Sequence, residues 1–120
     1  MTRFALAVIF GLGLSQAACV SNTSPETRSF ELHAIEVNGT KYWQPSTLTV
    51  RQGDTVKLKL ISKVPGANSV HGFAIDAFSV QEVADTQGKE VSFVASKAGI
   101  FPIRCHLHPA HIGGQLVVLQ

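Results

Sequence analysis

The chain has 120 residues, of which 45% are hydrophobic and 15% charged, with a formal net charge of +2. That is the make-up of one globular domain, and it excludes a disordered, fibrous or multidomain chain. Its lysines and arginines are scattered from Arg28 to Arg104 without a run, so the phosphate-neutralising face of a nucleic-acid binder is missing.

Arg3 is followed by an apolar run over residues 4–14 and by the small residues Ala17 and Ala18, the three-part layout of a secretory signal peptide spanning residues 1–18. The run is shorter than the ~20 residues that cross a bilayer, so the segment is read as an export signal and placed outside the fold. Cys19 stands directly after Ala17-Ala18 and before polar residues, an arrangement that resembles the lipobox of bacterial lipoproteins, with Gln16 where a bulky aliphatic residue is usual. Lipid attachment at Cys19 and simple cleavage near Ala17 or Ala18 both fit. Either way the expected location is periplasmic or otherwise extracytoplasmic, with membrane attachment through Cys19 in the first case. Either way, too, Cys105 is left as the only thiol in a compartment where thiols oxidise or pair. Such a cysteine needs a reason to be there.

Residues 19–29 are polar and contain Pro25, which reads as a flexible tether with nothing to bury. From there residues 30–34 alternate apolar with polar. Residues 55–61 do so more cleanly, with Val56, Leu58 and Leu60 on one face and lysines on the other, the period-two pattern of half-buried strands. Between them lie a β-branched run at residues 48–50 and the turn residues Arg51-Gln52-Gly53-Asp54,. A turn over residues 65–68 leads into a strand that begins with Ser69-Val70-His71-Gly72-Phe73, whereas residues 76–85 suit either an irregular strand or a buried crossover. Residues 90–95 alternate again, residues 97–99 turn the chain into a strand over 100–105, and residues 115–119 close the domain. No stretch has a convincing helical period. Short strands divided by Gly, Asn, Asp and Pro turns predict an all-β, antiparallel Greek-key β-sandwich over residues 30–120.

One thiol and three imidazoles crowd into Cys105-His106-Leu107-His108-Pro109-Ala110-His111. Soft thiolate and imidazole together suit copper in both of its oxidation states, and a constrained site keeps the geometry change between them small. Cys105 ends a strand, a short loop presents His108, and a turn around Pro109 brings His111 back towards the same ion. His71 is the best fourth ligand, because it starts a strand whose end can meet that loop, and Gly72 removes a side chain beside it. Alternation turns His106 away from Cys105 and His108, so it is read as solvent-facing or supporting a ligand, where it shapes a docking surface or carries protons. His33 is read as a surface or core histidine, Asp76 and Glu82 as solvated loop acids, and Tyr42 and Trp43 as packing residues.

Cys105-x-x-His108-x-x-His111 followed by Gly-x-Leu-Val-Val resembles the copper loop of cupredoxins, with His111 where the last ligand is usually methionine. Residues 45–56, from Pro45 to Val56, resemble the second-strand signature of the same family, and the resemblance covers nearly all of residues 30–120. Residues 72–83, with Leu107-His108-Pro109, are most similar to the red copper proteins of that family. The resemblance implies a cupredoxin fold and one copper ion per chain, with His71, Cys105, His108 and His111 as the metal positions. His71 then replaces a carboxylate, and His111 matches either a last histidine or the axial methionine. A strong imidazole in the axial place implies a green or red centre of lowered potential.

Zinc is the chemical rival, since Cys and His are its normal ligands, but a lone cysteine with a distant histidine is not the paired-knuckle spacing of structural zinc. The expected function is electron transfer with a redox partner protein and no catalytic residue. A small copper enzyme or sensor with an open coordination position is the alternative. Copper storage ranks below both, because Met1 is the only methionine.

Overall fold

The computed structural model describes residues 23–67 and 69–120, so the segment read as a signal peptide, and Cys19, lie outside the described residues. The elements in chain order are β1 (Thr27–Val37), β2 (Thr40–Gln44), β3 (Thr47–Arg51), β4 (Thr55–Ser62), β5 (His71–Ile75), one 3₁₀ turn (Asp76–Phe78), β6 (Val80–Ala84), β7 (Lys89–Val94), β8 (Gly99–Ile103) and β9 (Gly114–Leu119). One sheet runs β2-β1-β4-β7 and another β3-β9-β8, with β5 and β6 forming a hairpin. That hairpin joins the second sheet through Ala74 and Arg104: each backbone N–H donates to the other's carbonyl, at 2.8 and 3.0 Å.

The core follows from alternation. Val56, Leu58 and Leu60 of β4 and Leu32 and Ala34 of β1 are buried, facing Leu48, Val50, Leu116, Val118, Phe73 and Ile75 from the opposite side, while Lys57 and Lys59 point to solvent. Burying each such aliphatic side chain is worth about 1.5–3 kcal/mol. β5 shows no alternation, because every one of its residues is buried.

The sandwich agrees with the expectation in class and differs from it in three details. β1 pairs with β4, and β3 with β9, in parallel. Strands joined by a short turn must run antiparallel, but β1 and β4 meet only after the chain has crossed to the other sheet and returned. β2 was not anticipated. It forms a hairpin with β1 in which Val37 opposes Thr40 across Asn38 and Gly39, both at positive φ of 50° and 79°. An Asn-Gly pair at positive φ is the preferred two-residue hairpin turn, so the signal was present in the sequence. Residues 76–85 resolve into the 3₁₀ turn and β6, which pairs with β5 in register Ile75 to Val80.

The third difference is at the start of the domain. β1 begins at Thr27, taking in three residues of the segment read as tether, and pairs Thr27 with Thr55. Asp54 explains this. Its buried carboxylate accepts the backbone N–H groups of Glu26 and Arg51, both at 2.9 Å, and the Arg28 guanidinium approaches it at 3.4 Å. Those backbone hydrogen bonds, aided by Arg28, hold the Asp54 carboxyl below the usual carboxylate range.

A depressed carboxyl pKa contributes stability that is complete above the unfolded value of about 4 and is lost as pH falls through the lower native value. Asp54→Asn should therefore lower the melting temperature at neutral pH, and the gap between variant and wild type should narrow below about pH 4. Thermal melts followed by circular dichroism from neutral to acidic pH check this; a gap independent of pH would contradict it.

Candidate metal centre

Two strands and one loop build the site at one pole of the sandwich. His71 opens β5 and is 1% exposed; Cys105 lies just beyond β8 and is 5% exposed. The loop after Cys105 turns back on itself through His111 N–H donating to the His108 carbonyl at 3.0 Å. It is then held against β2 by Ile112 N–H donating to the Lys41 carbonyl at 3.1 Å.

Ligand-capable atoms of His71, Cys105 and His111 all lie within 4.8 Å of one another. The His71 and His111 rings stack with centroids 4.5 Å apart and planes 1° from parallel. His108 Nδ1 stands 3.8 Å from Cys105 Sγ, and its ring centroid is 4.5 Å from that of His111. Of the residues the sequence singled out, the structure thus brings His71, Cys105 and His111 into one group, and His108 stands at its exposed side, beside Cys105 and His111 but outside that group. Cys105 is a free, buried thiol, and its sulfur accepts the Gly72 N–H at 3.3 Å.

The donor set suits a metal ion. Both ring nitrogens of His71 and Nδ1 of His111 are buried without a hydrogen-bond partner, an arrangement that is costly unless something else takes the lone pairs. Burial, reinforced by His111 and His108 and by Lys41, pushes His71 down to about 4. Burial also lowers His111. Both shifts favour the neutral imidazole, which is the form that ligates.

The remaining sequence-named residues lie around the cluster. His106 is partly buried and is not one of the converging donors; its ring packs over Gly72, so that a Cβ built on Gly72 would stand 2.9 Å from His106 Nδ1. Gly72 thus makes room for His106 and not for a metal ligand. His33 is on β1 and pairs with Glu31 at 2.8 Å, away from the site. Asp76 is held by Arg104 through two hydrogen bonds of 2.8 and 2.9 Å, and that contact lowers its carboxyl pKa. Glu82 pairs with Lys89.

Sequence reasoning missed two supports. Trp43 of β2 is 1% exposed and lies edge-on to His71 with centroids 5.2 Å apart. Gly113 and Gly114 let the loop re-enter the sheet: a Cβ on Gly113 would meet the Ile103 carbonyl oxygen, and one on Gly114 the Ser46 carbonyl oxygen. The Gly-Gly pair after His111 was the readable signal for the second of these.

The Cupredoxin-like domain family matches residues 3–118. The chain belongs to the cupredoxin-like family. Among solved structures, this cupredoxin resembles the copper nitrite reductase of Nitrosomonas europaea, with 21% identity and a TM-score of 0.65, over 78% of this chain and 41% of that one. It therefore spans about two fifths of that enzyme's length. It also resembles the periplasmic domain of cytochrome oxidase subunit II from Bradyrhizobium japonicum, with 18% identity and a TM-score of 0.58, over 77% and 83% of the two chains. Auracyanin A, a blue copper protein of Chloroflexus aurantiacus, matches with 19% identity and a TM-score of 0.56 over 77% of this chain and 98% of its own. At these identities the likeness establishes the fold. No curated protein matches by sequence. No helix among the described residues is long and apolar enough to cross a membrane.

Gly114→Ala should force the loop carrying His111 off the Ser46 backbone at a cost of about 1–3 kcal/mol. Chemical denaturation of the metal-free protein measures this, and an unchanged midpoint would show that the close approach is not needed.

Proposed function

We propose that this cupredoxin holds one copper ion through His71, Cys105, His108 and His111 and passes single electrons between redox proteins outside the cytoplasm. The observation that carries the reading is the convergence of the Cys105 sulfur with the His71 and His111 imidazoles, with His108 Nδ1 3.8 Å from that sulfur and the His71 nitrogens buried and unpartnered. One thiolate with several imidazoles suits copper in either oxidation state. A copper ion held there would supply one-electron redox chemistry.

The chain supplies rigidity and access. His71 heads β5 and Cys105 follows β8, two buried positions joined by the Ala74–Arg104 backbone bridge, which limits their movement between oxidation states. His108 is exposed and offers the edge through which a partner's electron reaches the sulfur-bound centre. Zinc is disfavoured because the apolar core is complete without a structural ion, and a structural role is what a closed site of four protein ligands gives zinc.

Several neighbours support the reading. Two of the structures it resembles are named as copper proteins, and a third is a periplasmic domain of an oxidase subunit, which favours an extracytoplasmic redox partner. Residues 1–18 as an export signal, residues 19–29 as its tether, and lipid attachment at Cys19 belong to the same proposal. The second reading, a small copper enzyme or sensor with an open position, is favoured by the likeness of residues 72–83 to the red copper proteins.

The wild-type protein should take up one equivalent of copper and show an intense visible sulfur-to-copper band. Cys105→Ser should abolish that band and weaken copper binding by orders of magnitude, while His111→Met should move the spectrum towards blue. Azide should leave the optical and paramagnetic spectra unchanged. A Cys105→Ser protein that keeps the band would overturn the proposed site, and azide sensitivity would favour the enzyme or sensor.

A further inference from the structure

Gly72 stands where the pairing of β5 with the end of β8 stops. Ala74 and Arg104 exchange both backbone hydrogen bonds, and the antiparallel register would next set Gly72 opposite His106. The backbone N–H and carbonyl of Gly72 on that edge go elsewhere. The N–H donates to Cys105 Sγ at 3.3 Å, and the carbonyl accepts the Trp43 indole N–H at 3.0 Å. The indole thus takes the place of a backbone donor, and the sulfur takes the place of a backbone acceptor.

The same indole braces His71. Neither ring nitrogen of that residue has a hydrogen-bond partner in the protein, so the protein sets its angle through packing. Its ring is stacked on His111 and lies edge-on to Trp43, which is itself wedged edge-on to Phe73 at 5.6 Å. One buried side chain therefore touches one ligand directly and reaches the other through Gly72.

We propose that Trp43 is a positioning residue of the metal centre, whose indole N–H keeps the strand pairing open at Gly72 so that the Gly72 amide is free to hydrogen-bond the Cys105 sulfur. This rests on the copper reading of the site. Without the indole N–H, the buried Gly72 carbonyl needs another donor, and the backbone of His106, whose N lies 3.1 Å from a Cβ built on Gly72, is the nearest part of the interrupted ladder. Gly72 lacks a Cβ and turns with little resistance, so satisfying its carbonyl that way draws its N–H off the sulfur. A hydrogen bond to a ligating sulfur withdraws electron density and favours the reduced ion, and its loss lowers the reduction potential.

Trp43 is the only tryptophan in the chain, so growth of a tryptophan auxotroph on benzothienylalanine replaces this one indole N–H with sulfur and leaves the ring shape nearly unchanged. The full-length copper-loaded protein carrying the analogue should keep its copper stoichiometry and circular dichroism. Its reduction potential should be lower than that of the wild type, and its sulfur-to-copper band should be displaced. If the analogue does not accumulate as folded protein, Trp43→Phe is read by the same two measurements. A wild type with the band, beside a variant of unchanged potential and band position, overturns the role of Trp43, even if the variant melts earlier. A wild type with no such band instead overturns the copper reading.

Discussion

The join between β5 and the end of β8 is the constraint on which the site depends. Two backbone hydrogen bonds between Ala74 and Arg104 fix where His71, at the head of one strand, stands relative to Cys105, just past the tail of the other. The Arg104 guanidinium adds a side-chain link to Asp76. That ion pair is exposed and screened by solvent, so it adds little, and the backbone pairing carries the join. His71 and Cys105 both flank segments that are buried in or paired with the core.

The rest of the pole is built to complete that pair. The loop from Leu107 to Ile112 is anchored at its far end by Lys41 and by the close approach of Gly113 and Gly114 to the Ile103 and Ser46 backbone. Those contacts return His111 to a stacked position on His71. Burial of the two imidazoles then has a chemical consequence as well as a structural one: it favours the neutral form of both, with nitrogens that no protein group partners. A site of this kind stabilises itself by binding, since coordination relieves buried nitrogens that the protein leaves without partners.

Function in this reading comes from a difference in exposure among like ligands. His71 is sealed behind Trp43, while His108 faces solvent. A sealed ligand resists rearrangement and an exposed one meets a partner, and electron exchange at a protein surface needs both. The polar character of Gly72 matters here more than its small size suggests, because its one amide reaches the sulfur and its one carbonyl reaches the indole.

Much of this was legible in the order of residues. Val56-Lys57-Leu58-Lys59-Leu60 states its strand and its buried face outright, and Cys105, His108 and His111 announce a metal loop because they lie within seven residues and share one chemistry. His71 was nameable from its place at a strand start. The parallel pairings of β1 with β4 and β3 with β9 were not legible, since register between strands far apart in the chain is set by how two sheets pack, and period-two alternation says only which face is inward. Asp54 looked like a turn residue and is also a buried carboxylate tying down residues 26–28. Trp43 looked like packing, and only the folded chain, by interrupting a ladder at Gly72, gives its indole N–H a carbonyl to hold. Local spacing determined which atoms could bind a metal; long-range backbone pairing, which no local pattern encodes, decided that they meet and what holds them there.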